Sequence, residues 1–143
     1  MERILGDSLL GKQGSISTSV LSQADMILLY FSASWCPPCR QFTPVLANFY
    51  NQVNASRKQV EIIYVSWDQT IQQFTQYYDH MPWLAIPFDS TIIKDRLYES
   101  LAVNSVPTLI LIDRTGRVVN RECRKEVAQN GVKALDAWRK ALH

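Results

Sequence analysis

The 143-residue sequence has only two histidines and three cysteines, and beyond one close cysteine pair they supply no second paired cluster for a structural zinc centre, which takes about four such ligands at paired spacings. An odd cysteine count also argues against a disulfide framework. Charge of one sign is lacking. Fifteen basic and 13 acidic residues leave +2, so no field for nucleic acid is expected. Long hydrophobic runs are lacking too. "MILLYF", from residue 26, falls far short of the roughly 20 residues of a spanning helix, so no membrane partner is expected. The opening "MERILGDSLLGK" has charges on both sides of a few apolar residues and no apolar signal-peptide region. An intracellular, reducing compartment is expected: the cytoplasm, with the nucleus as a further setting. No repeat, low-complexity tract or linker divides the chain. At 47% hydrophobic and 20% charged residues, one globular domain over residues 1–143 is expected.

What is present is an alternation of strand and helix signals. Gly6, Gly11 and Gly14 fall at turn-like spacing in "GDSLLGKQGSIST", which reads as a short strand pair. "MILLYFSA", residues 26 to 33, suits a strand buried on both faces. Phe42, Val45, Leu46, Phe49, Tyr50 and Val53 then recur at three- and four-residue steps, the stripe of a helix opening near Pro37. Pro44 lies inside it and should bend it, having no N–H to donate. Residues 60 to 67 read as a second buried strand, and 70 to 79 as a polar helix dotted with aromatics. "MPWLAIPF", with two prolines, reads as a loop anchored by Trp83. Residues 91 to 102 read as a helix with Ile92, Ile93, Leu97 and Leu101 inward. A strand over 108 to 113, the turn "RTG" and the partner "RVVN" make a hairpin. Val132, Leu135, Trp138 and Leu142 mark a closing helix. The pattern is that of an α/β sandwich with a mixed central sheet.

The chemistry concentrates in "SASWCPPCR", residues 32 to 40. Only Pro37 and Pro38 separate Cys36 from Cys39. A purely structural crosslink here would close a tiny loop and stabilise little. For a metal, Cys123, His80 and His143 supply no second paired cluster. Thiol–disulfide exchange fits better, because the pair follows a buried strand and opens a helix. Unpaired N–H groups and the helix dipole favour a thiolate there. Cys36, at the helix mouth, is expected to be the more exposed and to attack. Cys39, one turn inside, is expected to be buried and to resolve the mixed disulfide. The prolines stiffen the loop. Arg40 reads either as added positive potential or as a solvated helix charge.

"LYFSASWCPPCRQFTPVLANFY", "VSWD", "MPWLAIPF" and "VPTLILID" follow one another over most of residues 28 to 113. In these segments the chain resembles the nucleoredoxin and tryparedoxin branch of the thioredoxin superfamily. Both ends, "RILGDSLL" and "RKEVAQNGVKALDAW", resemble nucleoredoxin-like proteins. The resemblance implies a thioredoxin-like fold: a mixed β-sheet sandwiched by α-helices, here with an N-terminal strand extension. It implies a protein-disulfide reductase that cycles through a Cys36–Cys39 disulfide without a bound cofactor. It implies a cis Val106–Pro107 bond beside the cysteines, with Val106 backbone groups available to an extended substrate. The partners implied are disulfide-containing proteins, and a reductase or low-molecular-weight thiol as electron donor. A redox-sensitive regulatory module, or electron supply to a peroxiredoxin, is the alternative. A monomer is expected.

The sequence departs from that pattern in places. Six residues before Cys36, where ordinary thioredoxins have a buried aspartate, stands Tyr30, expected in the core with its hydroxyl bonded. The tryparedoxin "SWDE" is "SWDQ", so Gln69 replaces an acidic residue tied to the polyamine–glutathione reductant. Arg124 aligns with a basic residue used in the same way. These features favour a nucleoredoxin-like role over a trypanothione-dependent one. Trp35 is expected on the active face, holding a partner rather than only packing. Trp67 and Asp68 are expected at the same rim, Asp68 as a helix cap or as a participant in the chemistry. Cys123, near Arg121 and Arg124, reads as a spare thiol or as one with a lowered pKa.

Overall fold

A computed structural model describes residues 1–143. Its centre is β3 (Met26–Ser32), in which every residue is buried. Successive side chains in a strand point to opposite faces. Met26, Leu28 and Tyr30 therefore enter one apolar layer, while Ile27, Leu29 and Phe31 enter the other. Polar residues on either face would leave one layer wet, and this explains the continuous apolar run. β4 (Val60–Ser66) lies parallel to β3, with Met26 opposite Val60 and Ser32 opposite Ser66.

Around this pair the chain builds one seven-stranded sheet. The hairpin of β1 (Ser8–Gly11) and β2 (Gly14–Ser17) forms one margin. β5 (Leu84–Ala85) joins β1, antiparallel, to β4, parallel. On the other side, β6 (Thr108–Ile112) runs antiparallel to β3 and carries β7 (Val118–Asn120). The β6–β7 turn holds Gly116 at a φ of +88°, where a Cβ would run into Ile4. Asp113 fixes this turn by accepting from Thr115 N and Arg117 N at 2.8 and 3.1 Å.

Helices cover both faces. α1 (Glu2–Leu5) and α4 (Thr91–Ser100) contribute Leu5 and Leu97 to one layer. The opposite layer takes Phe42, Leu46, Phe49, Tyr50 and Val53 from α2 (Pro37–Val53), and Phe74, Tyr77 and Tyr78 from α3 (Ile71–Tyr78). It is closed by α5 (Cys123–Asn130) and α6 (Ala134–Leu142), with Trp138 fully buried against Phe49. The mixed sheet, the sandwich and the N-terminal strand pair are as expected. No helix is long and apolar enough to cross a membrane.

Several assignments need correction. Val45 is exposed, because the buried stripe of α2 steps from Phe42 to Leu46 and leaves Val45 beside exposed Pro44. The helix runs on through Pro44, whose missing N–H lies on this outer face. Ile92 is exposed as well. Leu97 and Leu101 face the sheet at four-residue spacing with Ile93, while Ile92 turns outward with Asp95 and Glu99. "MPWLAIPF" is not all loop, since its two prolines bracket β5. Val132 lies exposed on a 3₁₀ turn, Gly131–Lys133, before α6 rather than on its apolar face.

Candidate active site

Cys36 occupies the cap position of α2, and the prolines fill the first turn. Proline is tolerated there because the first N–H groups have no helical partner. Pro37 and Pro38 therefore leave the Cys39 N–H as the first free donor of the helix. It points at Cys36 Sγ, 3.2 Å away. The two sulfurs lie at disulfide distance, with their Cα atoms 5.2 Å apart, a separation that a disulfide bridges without backbone movement. Cys36 is 5% exposed and Cys39 0%, the expected order. The exposure of Cys36 is slight, however, because Ala33, Cys39 and Val106 pack around it. A partner disulfide must come to the sulfur along a narrow approach.

The Val106–Pro107 bond is cis, and the Val106 carbonyl oxygen lies 3.7 Å from Cys36 Sγ. Arg124 is exposed on α5 and lines a groove with Phe42, Pro107, Arg121 and Lys125. On the other side of the motif stand Trp35 and Trp67, 46% and 42% exposed. Their rings meet edge to face at 6.1 Å, and Trp35 Nε1 donates to the Trp67 carbonyl at 2.9 Å. Arg40 Nη1 donates to the Ser34 carbonyl at 2.6 Å, so this side chain braces the loop.

Asp68 is not a helix cap. Thr70 caps α3, its side chain accepting from Gln73 N at 3.1 Å. Asp68 is turned inward, and its Oδ1 accepts from Ser34 N at 2.7 Å. Gln69 is exposed, its N–H donating to Gln73 Oε1.

Under Cys39 lies a hydroxyl cluster that the sequence reading missed. The Tyr30 and Tyr77 hydroxyls lie 2.7 and 2.6 Å from Thr43 Oγ1, which donates to the Cys39 carbonyl at 3.0 Å. Having given its one proton to that carbonyl, Thr43 accepts from both tyrosines. Tyr77 can then accept from Ser32 Oγ at 2.9 Å, so every hydroxyl is satisfied. Burial, with Tyr77 beside it, pushes the Tyr30 hydroxyl well above the usual tyrosine range, so it remains a neutral donor. Tyr30 is thus a core residue with a bonded hydroxyl, as expected. A signal for the cluster existed: Thr43 lies within the buried stripe of α2, four residues after Cys39.

Cys123 contradicts the idea of a lowered pKa. It is fully buried at the start of α5, and burial pushes its thiol up to about 12. At pH 8 the folded chain then holds Cys123 almost wholly as the neutral thiol. A thiol-titrating disulfide reagent should therefore find two thiols in the reduced native protein and a third only on unfolding. Three fast native thiols would contradict this burial. No three His, Cys, Asp or Glu side chains converge as a metal would require.

Residues 23–118 match the family model described as thioredoxin-like. Tryparedoxin of Trypanosoma brucei brucei is 42% identical over 132 residues, 92% of this chain and 90% of the relative. The solved structure of tryparedoxin from Trypanosoma brucei matches with a TM-score of 0.86 and 41% identity, covering 95% of each chain. Tryparedoxin II complexed with glutathionylspermidine matches with a TM-score of 0.78 and 35% identity, over 87% of this chain and 86% of its own. Nucleoredoxin of Danio rerio is 35% identical over 135 residues, 94% of this chain but 32% of the relative, so the chain spans about a third of that protein. The dithiol thus sits in a setting shared along nearly the whole chain: the protein belongs to the thioredoxin-like family, close to the tryparedoxins and nucleoredoxins, and is a thiol–disulfide oxidoreductase.

Proposed function

We propose that the chain reduces disulfides in other proteins, with Cys36 as nucleophile and Cys39 as resolving thiol. The observation that carries this reading is the Cys39 N–H aimed at Cys36 Sγ from 3.2 Å at the mouth of α2. A hydrogen bond and the field of a helix start both favour the thiolate that attacks. The Cys36 thiolate bonds to one sulfur of the target disulfide, whose S–S bond breaks. The leaving thiolate takes a proton. Cys39 gives its proton to solvent and attacks the Cys36 sulfur, and the second target thiolate leaves and is protonated. Two electrons have then passed to the target, and the chain holds a Cys36–Cys39 disulfide.

A reductase or low-molecular-weight thiol restores the dithiol. The complex of tryparedoxin II with glutathionylspermidine supports a small thiol in this role. Trp35, Trp67, the Val106 backbone, Pro107 and Arg124 are the surface assigned to partners. The reading includes a reducing, cytoplasmic setting.

Reduction of insulin by dithiothreitol, followed as turbidity, tests the reading. The chain should shorten the lag severalfold at micromolar concentration. No acceleration, with both motif thiols titratable, would sink it. That outcome would favour a redox-sensitive binding module, for which exposed Trp35 and Trp67 are the observation in hand.

A further inference from the structure

Asp68 is 8% exposed, and a buried carboxylate is costly unless its oxygens are hydrogen-bonded. Here they are. Oδ1 accepts from Ser34 N at 2.7 Å, and Oδ2 accepts from Ser66 Oγ at 2.7 Å and from the Tyr64 hydroxyl. Lys94 of α4 lies within its field, though no ion pair forms. Only one of these bonds leaves the neighbourhood of β4, and it goes to the loop carrying Trp35 and Cys36.

The Ser34 peptide is thereby held from both ends, its N–H by Asp68 and its carbonyl by Arg40 at 2.6 Å. Two further bonds join the same loops: Trp67 N to the Ser32 carbonyl, and Trp35 Nε1 to the Trp67 carbonyl, both 2.9 Å. The last one depends on the alignment that the others set. We propose that Asp68 is a positioning residue for partner recognition, fastening the Trp35–Cys36 loop to the Trp67 loop so that the two exposed indoles form one fixed surface. This rests on the protein-disulfide reductase reading. Attack by small thiols does not need that surface, since the donor to Cys36 Sγ belongs to α2.

The test is insulin reduction at a fixed, rate-limiting concentration of dithiothreitol by the full chain and its Asp68→Ala and Asp68→Asn variants. Asp68→Ala should raise KM for insulin about tenfold and change kcat by less than about twofold, because recycling by a small thiol sets kcat. Asp68→Asn keeps an acceptor for Ser34 N–H and should recover most of the loss. Tryptophan emission should move to the red in the alanine variant alone. An unchanged KM in Asp68→Ala would overturn the proposal, as would a fall in kcat alone. Should the alanine variant fail to fold, hydrogen exchange at the Ser34 amide of the unaltered chain decides. Protection like that of β3 is expected, and exchange like an open loop would refute the clamp. If the unaltered chain leaves insulin intact, the reductase reading fails, while emission and exchange still decide on Asp68.

Discussion

A Cys36→Ser chain should lose disulfide reduction by on the order of 10³-fold, whereas Cys39→Ser should attack once and stop, covalently joined to its target. The two outcomes differ because the sulfurs differ in reach. Cys36, at 5%, is the only one of the three with any exposure; Cys39 and Cys123 are at 0%. Neither can stand in for it. Serine at position 36 is also a good helix cap, so α2 should persist and the loss would be chemical rather than structural. In Cys39→Ser the attacking thiolate remains, and so does the backbone N–H that favours it. What is missing is the sulfur that releases the product. A non-reducing gel should show the adduct, and dithiothreitol should dissolve it. An adduct with Cys36→Ser and none with Cys39→Ser would reverse the assigned roles.

Trp83→Ala should cost about 3–5 kcal/mol of stability, the range for emptying a large aromatic site. Trp83 is fully buried, with the rings of Tyr30 and Tyr50 edge-on at 5.8 and 5.6 Å. Such packing cannot collapse onto an alanine without moving β3 and α2, which carry these rings. Its Nε1 has no hydrogen-bond partner, however. A buried donor left unpaired costs about 1–3 kcal/mol, so Trp83→Phe removes a burden as well as some volume. The phenylalanine variant should therefore lose less than about 2 kcal/mol. Guanidinium unfolding midpoints at equal slope measure both. Equal losses would show that the indole N–H is no burden.

What the sequence disclosed follows from how local each signal is. β3 and β4 were legible because a strand covered on both faces must be apolar throughout. α2 is legible from its stripe, yet helical spacing also admits Val45, Ile92 and Val132 to the inward set, and the actual helix phase or a 3₁₀ turn puts them outside. α5 escaped notice because only Cys123 and Val127 of its eight residues are buried, too few to show a period. β5 is two residues between prolines. The dithiol was legible because its chemistry is written in four consecutive letters, and the cis proline came with the family resemblance. The hydroxyl cluster and the Asp68–Ser34 bond join residues 34 positions apart, and no spacing rule connects them.

The hairpin margin of the sheet has a consequence for self-association. β5 is too short to shield β4, and β1 meets it through the single pair Leu10–Ala85. Beyond β1 lies only β2, four residues long and rich in serine, a poor template for a strand from another molecule. Without residues 8–17, the ladder would end on an apolar strand open to recruitment. A segment that takes no part in sulfur chemistry thus guards against aggregation, and its loss would threaten solubility before it touched the dithiol.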